Sequence, residues 1–247
     1  MTEFNDSKMD NRESGGDFPD IGELNLYYRG RVASEVLSRT KKGNFLPIFP
    51  QFVFGSGNVP SKVALIGEAP GGEEVKAGVP FVGQAGRILT GELEKAGLRR
   101  EELYITNAIK YRLARAGKRP GTVSNRPATT FDSEVCSDWL RDELGFVRPE
   151  LVITLGKTAA DAAFSVLAAG SGNALTFGNL TVTPREFRSA PMGEIHGNKY
   201  TASAPDGIQL TFIPLYHPAS LIYNRELGPA FSADLTEVKQ CVSSILS

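Results

Sequence analysis

Three side chains that can handle a proton or pair with a polar edge, Glu68, Asn107 and His217, each stand directly after a short apolar run of the chain. The runs are Val63 to Gly67, Leu103 to Thr106 and Thr211 to Tyr216, and a fourth, Leu151 to Leu155, leads into Gly156-Lys157-Thr158. A carboxylate can orient or deprotonate a water, an imidazole can donate a hydrogen bond while neutral, and an amide can donate and accept at once. Each also has a plainer account taken alone. A lone His can be a satisfied polar group, although His217 precedes Pro218, which fixes the backbone and removes a donor where an active-site loop would begin.

Several chemistries are disfavoured by spacing. Gly156-Lys157-Thr158 invites a phosphate-loop reading, but the required Gly five positions earlier is Leu151. Thr158 is then a residue opening a helix. Ser171, in Gly170-Ser171-Gly172, lacks the spacing of a nucleophile elbow. Two histidines and two cysteines without paired spacing argue against catalytic zinc, and Glu73 with Glu74 is too few carboxylates for a magnesium nuclease. No metal ligand is expected. His196 lies in a Gly-rich stretch with no strand before it and is read as structural.

The apolar runs are strand-sized, and they alternate with helical patterns at Ile21 to Arg39, Gln84 to Ala96, Asp132 to Leu144, Lys157 to Ala169 and Asp234 to Leu246. This alternation predicts an α/β fold, a three-layer α/β/α sandwich with a central, mostly parallel four-stranded sheet. In such folds function collects at the carboxyl ends of the strands, where the three polar residues stand. Gly170 to Leu210 is polar and Gly-rich without a strong period, and reads as short strands or loops. The 247 residues fit one domain over 21–247, preceded by a disordered acidic tail over 1–20. With 41% hydrophobic and 22% charged residues the composition is that of an ordinary globular protein. No apolar run approaches a membrane span, and Cys136 and Cys241 cannot form a disulfide framework, so reduced cytosol, a monomer and no membrane are expected.

The net charge of −1 argues against a whole-surface nucleic-acid binder. Yet Leu103 to Phe131 contains no acid, and Lys110, Arg112, Arg115, Lys118, Arg119 and Arg126 all fall there. Without those six bases 21 remain against 28 acids, a net of −7. The segment is either a solvated loop or a patch that contacts phosphates.

The residues from Gly67-Glu68-Ala69-Pro70-Gly71-Gly72-Glu73-Glu74 to Gly78-Val79-Pro80-Phe81-Val82-Gly83-Gln84-Ala85-Gly86 closely resemble the first motif of uracil-DNA glycosylases of the family 4 type. Further pieces follow the family's order: Val53 to Asn58 upstream, Tyr104 to Lys110, Val152 to Ala160, and Tyr216-His217-Pro218-Ala219-Ser220-Leu221. The resemblance has a gap. The family usually holds a [4Fe-4S] cluster through four cysteines, but Glu23 to Val32 has none, Tyr111 stands at the third position and only Cys136 matches the fourth. One thiolate cannot hold a cluster. No cofactor is expected, and packing through Tyr27, Tyr28 and Tyr111 must replace the staple.

The resemblance implies hydrolysis of an N-glycosidic bond in DNA containing an altered base, with the nucleotide flipped out of the stack. Phe81 would stack on the base, Asn107 would pair with its O4 and N3–H edge, and Ala69, Gly71 and Glu74 would complete the pocket, Glu74 crowding C5 against thymine. Glu68 would orient or deprotonate the water, and His217 would donate to the base O2. Gly67, Gly71, Gly83 and Gly86 would allow close backbone approach, Gly83 and Gly86 at the DNA. Ser220 and Leu221 would press into the duplex, and Lys110, Arg112, Arg115, Lys118 and Arg119 would contact its backbone. Residues 110–131 contain no His of the kind used by a covalently trapped branch, so turnover is expected. Two alternatives stand beside uracil excision: the same chemistry on another deaminated or modified pyrimidine such as a 5-substituted cytosine, and a catalytically silent DNA-binding relative.

Overall fold

The computed structural model describes residues 18–40, 50–119, 121–203 and 209–246. Helix α1, Ile21–Thr40, begins where the Asp20 carboxylate accepts the amides of Gly22 and Glu23 at 2.7 and 3.0 Å. The expected disordered tail lies outside the described residues over 1–17, but its last residues are ordered. Phe18 is buried against Tyr27 and Tyr28, and Asp20 caps the helix.

Strand β1, Val63–Gly67, is buried along its whole length. After it come α2, Gly72–Ala77, and α3, Gln84–Ala96, whose chain is turned by Gly97 at φ 72°. Strand β2, Tyr104–Asn107, leads into a two-stranded hairpin of β3, Ala114–Ala116, and β4, Val123–Asn125. Then follow α4, Thr130–Val147; β5, Leu151–Leu155; α5, Lys157–Gly170; β6, Leu175–Phe177; β7, Leu180–Val182; α6, Pro184–Ser189; α7, Met192–Ile195; β8, Tyr200–Ser203; β9, Gln209–Leu215; α8, Ser220–Tyr223; and α9, Gly228–Leu246.

The sheet has seven strands in the order β2-β1-β5-β9-β8-β6-β7, not four. The four expected strands form its parallel part, β2 to β9. The other three come from the stretch between residues 170 and 210 and extend it antiparallel from the β9 edge. A strand as apolar as β9 would otherwise present an open ladder to water, and pairing with β8 closes it. Helices α3 and α9 cover one face, with Leu89, Leu93, Phe231, Leu235 and Val238 on Leu65, Ile153 and Ile213. The other face is covered by α4 and α5, where Leu140, Ala159, Ala163 and Phe164 meet Ile66, Val152 and Phe212. Helix α1 packs outside α4 through Leu24, Tyr28 and Val32, spaced one turn apart on one face.

Candidate active site

The parallel strands run 2-1-5-9, so the chain turns to opposite sides after β1 and after β5. This is the switch point at which open α/β sheets bind ligands, beyond the carboxyl ends of the strands. A cavity of about 360 Å³ lies there. Ala69, Gly71, Glu74, Phe81, Gly83, Asn107 and His217 line it, together with Asn125, Ile222 and Tyr223, which the sequence did not single out.

Two glycines make this arrangement possible. A Cβ at Gly67 would fall 2.3 Å from the Phe81 ring and 2.5 Å from Asn107 Oδ1, so only a bare backbone lets both side chains converge on the end of β1. A Cβ at Gly86 would lie 1.9 Å from the Phe81 carbonyl oxygen. Gly86 is therefore a buried seat for the Phe81 loop in the first turn of α3. Phe81 itself is buried at φ 54°, a strained conformation that orients its ring. Its centroid is 6.4 Å from that of His217.

Glu74 fastens the two loops together. Its carboxylate accepts from Gly71 N at 3.1 Å, Val82 N at 3.1 Å and Gly83 N at 2.7 Å. The amides of Gly71 and Gly83 are thus committed inside the protein. Both glycines still line the cavity.

His217 is held from two sides. The Ala219 amide donates to His217 Nδ1 at 3.2 Å, which leaves the ring proton on Nε2 and makes that atom a donor. Burial lowers the imidazole pKa below its ordinary value, opposed by the nearby negative charge of Glu68. Gly156, at φ 87°, brings the β5 loop against the ring, and a Cβ there would sit 3.1 Å from His217 Cβ. Glu68 is half-buried beside His217, adjoining the residues that line the cavity. The backbones after β1 and β2 are joined, Ala108 N to Gly67 O at 2.8 Å and Ile109 N to Glu68 O at 2.9 Å. Asn107 is thereby fixed, 3% exposed, at the inner end of the cavity.

Lys110 does not reach the surface, contrary to the expectation that it touches DNA. It is fully buried, paired with Glu143 of α4 and hydrogen-bonded to Thr106 Oγ1 at 2.7 Å. Tyr104 and Thr106 donate to the same carboxylate at 2.9 and 3.1 Å. A buried ammonium needs such a partner, and here it locks β2 onto α4 behind Asn107. The remaining bases behave differently. Arg115, Lys118 and Arg119 are exposed on the β3–β4 hairpin, and Arg112 at its base is half-buried against Gly72.

Leu221 is half-buried against the α9 side of the core, while Ile222 and Tyr223 stand outward at the cavity mouth, Tyr223 89% exposed. Ser220 is half-buried at the start of the same turn. His196, read as structural, bonds through Nδ1 to Asp234 at 2.7 Å and packs on Tyr216, the residue before His217.

The residues do not fit an iron–sulfur cluster. Tyr111 donates to Asp132 Oδ1 at 2.5 Å, and Cys136, its thiol pushed up to about 12 by burial, lies in an aromatic core. Tyr28 stacks on Trp139 in that core with centroids 5.9 Å apart. Among the described residues no three His, Cys, Asp or Glu side chains group as metal ligands, and no helix is long and apolar enough to cross a membrane. In place of a cluster stands a polar staple. Arg126 donates twice to Asp132, both at 2.7 Å, and the Thr129 amide and hydroxyl add 2.8 and 2.6 Å.

Comparison with known proteins agrees with the geometry. Residues 54–240 match the model of the uracil DNA glycosylase superfamily. The chain is 30% identical over 213 residues to a type-4 uracil-DNA glycosylase of Archaeoglobus fulgidus, covering 84% of this chain and 89% of that one. It is 29% identical over 222 residues to the type-4 uracil-DNA glycosylase of Thermotoga maritima, covering 88% and 98%, and 30% identical over 191 residues to that of Saccharolobus solfataricus, covering 77% and 76%.

Proposed function

The chain belongs to the uracil DNA glycosylase superfamily, and from that premise we propose that it is a monofunctional DNA glycosylase that hydrolyses the N-glycosidic bond of uracil flipped out of DNA. The observation that carries this reading is the wiring of His217. Its Nδ1 is occupied by a backbone amide and burial keeps the ring neutral, so Nε2–H is a preorganised donor for the O2 of a departing pyrimidine. Negative charge grows on that oxygen as the bond to the sugar stretches, so the interaction strengthens toward the transition state.

The other residues take matching parts. Phe81 provides the face on which the base stacks, and Asn107 accepts from uracil N3–H while donating to O4. Cytosine presents the opposite pattern, leaving mismatched buried groups that cost about 1 to 3 kcal/mol each. Glu68 orients or deprotonates the attacking water, and its charge favours the cation-like sugar. Glu74, braced by three amides, narrows the pocket where a C5 methyl would enter. Tyr223 and Ile222, in place of Leu221, fill the space left in the duplex. Arg112, Arg115, Lys118 and Arg119 contact phosphates. The enzyme acts as a monomer in the cytosol.

The polar, Gly-rich stretch from Gly170 onward is the part of the chain where contacts to a substituent on a modified base would be sought. Its described residues, 170–203 and 209–210, are not among those that line the cavity. The test is a cleavage panel of oligonucleotides carrying uracil, hypoxanthine, xanthine or a bulky 5-substituted cytosine. Strand scission after alkali with uracil is the expected result. Excision of the substituted cytosine with none of uracil would overturn the reading.

A further inference from the structure

At the rim of the cavity two of the backbone amides suited to a phosphate are already taken. Backbone amides of glycine loops are the usual partners of a nucleotide's phosphate, yet those of Gly71 and Gly83 already donate to Glu74. The carboxylate they hold is itself repulsive to a phosphodiester. Side-chain donors on the rim can take their place.

Asn125 supplies one. It is the last residue of β4, paired in register with Ala114, and it is exposed at the mouth of the cavity. Arg112 Nε donates to Asn125 Oδ1 at 3.1 Å, which fixes the amide and leaves Nδ2 as a pure donor. Among the described residues Nδ2 donates to no other group in the chain. The guanidinium of Arg112 lies against Gly72, so a positive charge flanks the same opening. The placement is rigid, because the next residue, Arg126, is tied to Leu113 O at 2.8 Å and to Asp132.

Building on the glycosylase reading, we infer that Asn125 is a substrate-contacting residue whose Nδ2 binds a phosphodiester oxygen next to the extruded nucleotide, with Arg112 orienting it. The base occupies the inner end, where Asn107 is buried, so the part of the nucleotide left at the rim is the sugar and phosphate. A donor-only amide beside a guanidinium selects an anionic acceptor and not the mixed edge of a base.

The experiment measures binding to duplexes carrying 2′-fluoro-deoxyuridine, which resists hydrolysis. The phosphodiesters on either side of it are replaced, one at a time, by neutral methylphosphonate. Asn125→Ala should bind the uridine duplex about tenfold more weakly than wild type, one hydrogen bond to an anion, while binding undamaged duplex within twofold. One methylphosphonate should weaken wild type by a similar factor and Asn125→Ala hardly further. Asn125→Asp, which still accepts from Arg112 but cannot donate, should lose more than the alanine variant. Additive losses would overturn the assignment, as would an equal loss on undamaged duplex or a change in base preference without a change in affinity. If wild type did not prefer the uridine duplex at all, the glycosylase reading itself would fall.

Discussion

Replacing Asp132 with asparagine should cost this protein stability in a way that depends on pH. Asp132 is 1% exposed, and although burial alone would raise its pKa, hydrogen bonds from Arg126, Thr129 and Tyr111 hold it at about 2. The gap from the ordinary value of 3.8, at about 1.4 kcal/mol per pKa unit, corresponds to roughly 2.5 kcal/mol. Because the folded pKa is depressed, that stabilisation is fully present above about pH 5 and is lost as pH falls through 3.8 toward 2, about 1 kcal/mol of it by pH 3. At pH 7 Asp132→Asn leaves Arg126 without its carboxylate partner at a position only one-fifth exposed, and about 3 kcal/mol should be lost. Urea unfolding of both proteins at pH 7, 5, 4 and 3 reads the difference. The gap between them should narrow by about 1 kcal/mol over that range. A gap that stays constant, or one below about 1 kcal/mol at pH 7, would refute the idea that this staple holds the hairpin base.

Other expectations concern the chemistry and the DNA. His217→Ala and Glu68→Ala should each lower single-turnover excision at least ~100-fold with DNA affinity nearly intact, and near wild-type rates in rapid-quench assays would remove that residue from the mechanism. Glu68→Gln should move the acid limb of the rate profile to lower pH, since the Glu68 charge is what holds the His217 pKa up against burial. Neutralising Arg112, Arg115 and Arg119 should flatten the salt dependence of binding by up to about three units, whereas Lys110→Met should leave the slope unchanged and lower the unfolding midpoint. Tyr223→Ala should slow excision from duplex more than from single strands, while Leu221→Ala should mainly reduce stability; the reverse pattern would return the wedge to Leu221.

The parallel sheet was legible because its strands are buried on both faces and so read as unbroken apolar runs. Helix α3 was legible from Gln84 to Ala96 because Gly97 ends it. Helix α9 starts earlier than the expected Asp234, since Gly228 and Pro229 suit a first turn that carries no periodic signal. Strands β6 and β7 lie in the stretch read as short strands or loops, and they could not be placed within it because three residues each, four of the six exposed, set no period. The misplacement of Lys110 has the same local origin. Its partner Glu143 lies on another element, and a lysine in an acid-free stretch carries no mark of burial. Asn125 was missed because an Asn in a turn-rich loop is unremarkable until the hairpin folds against the cavity.

The hydrogen bond from Ala219 to His217 Nδ1 also governs where protons can travel. A ring with one nitrogen tied to a backbone amide cannot take a proton on one side and release it on the other, so His217 is no relay between solvent and the base. In the proposed mechanism the base therefore departs as an anion, held by the Nε2–H donor, and takes its proton from water afterwards. Substrates would then be ranked by the acidity of the freed base at its glycosidic nitrogen. Bases that form poor anions would remain attached even where the cavity admits them.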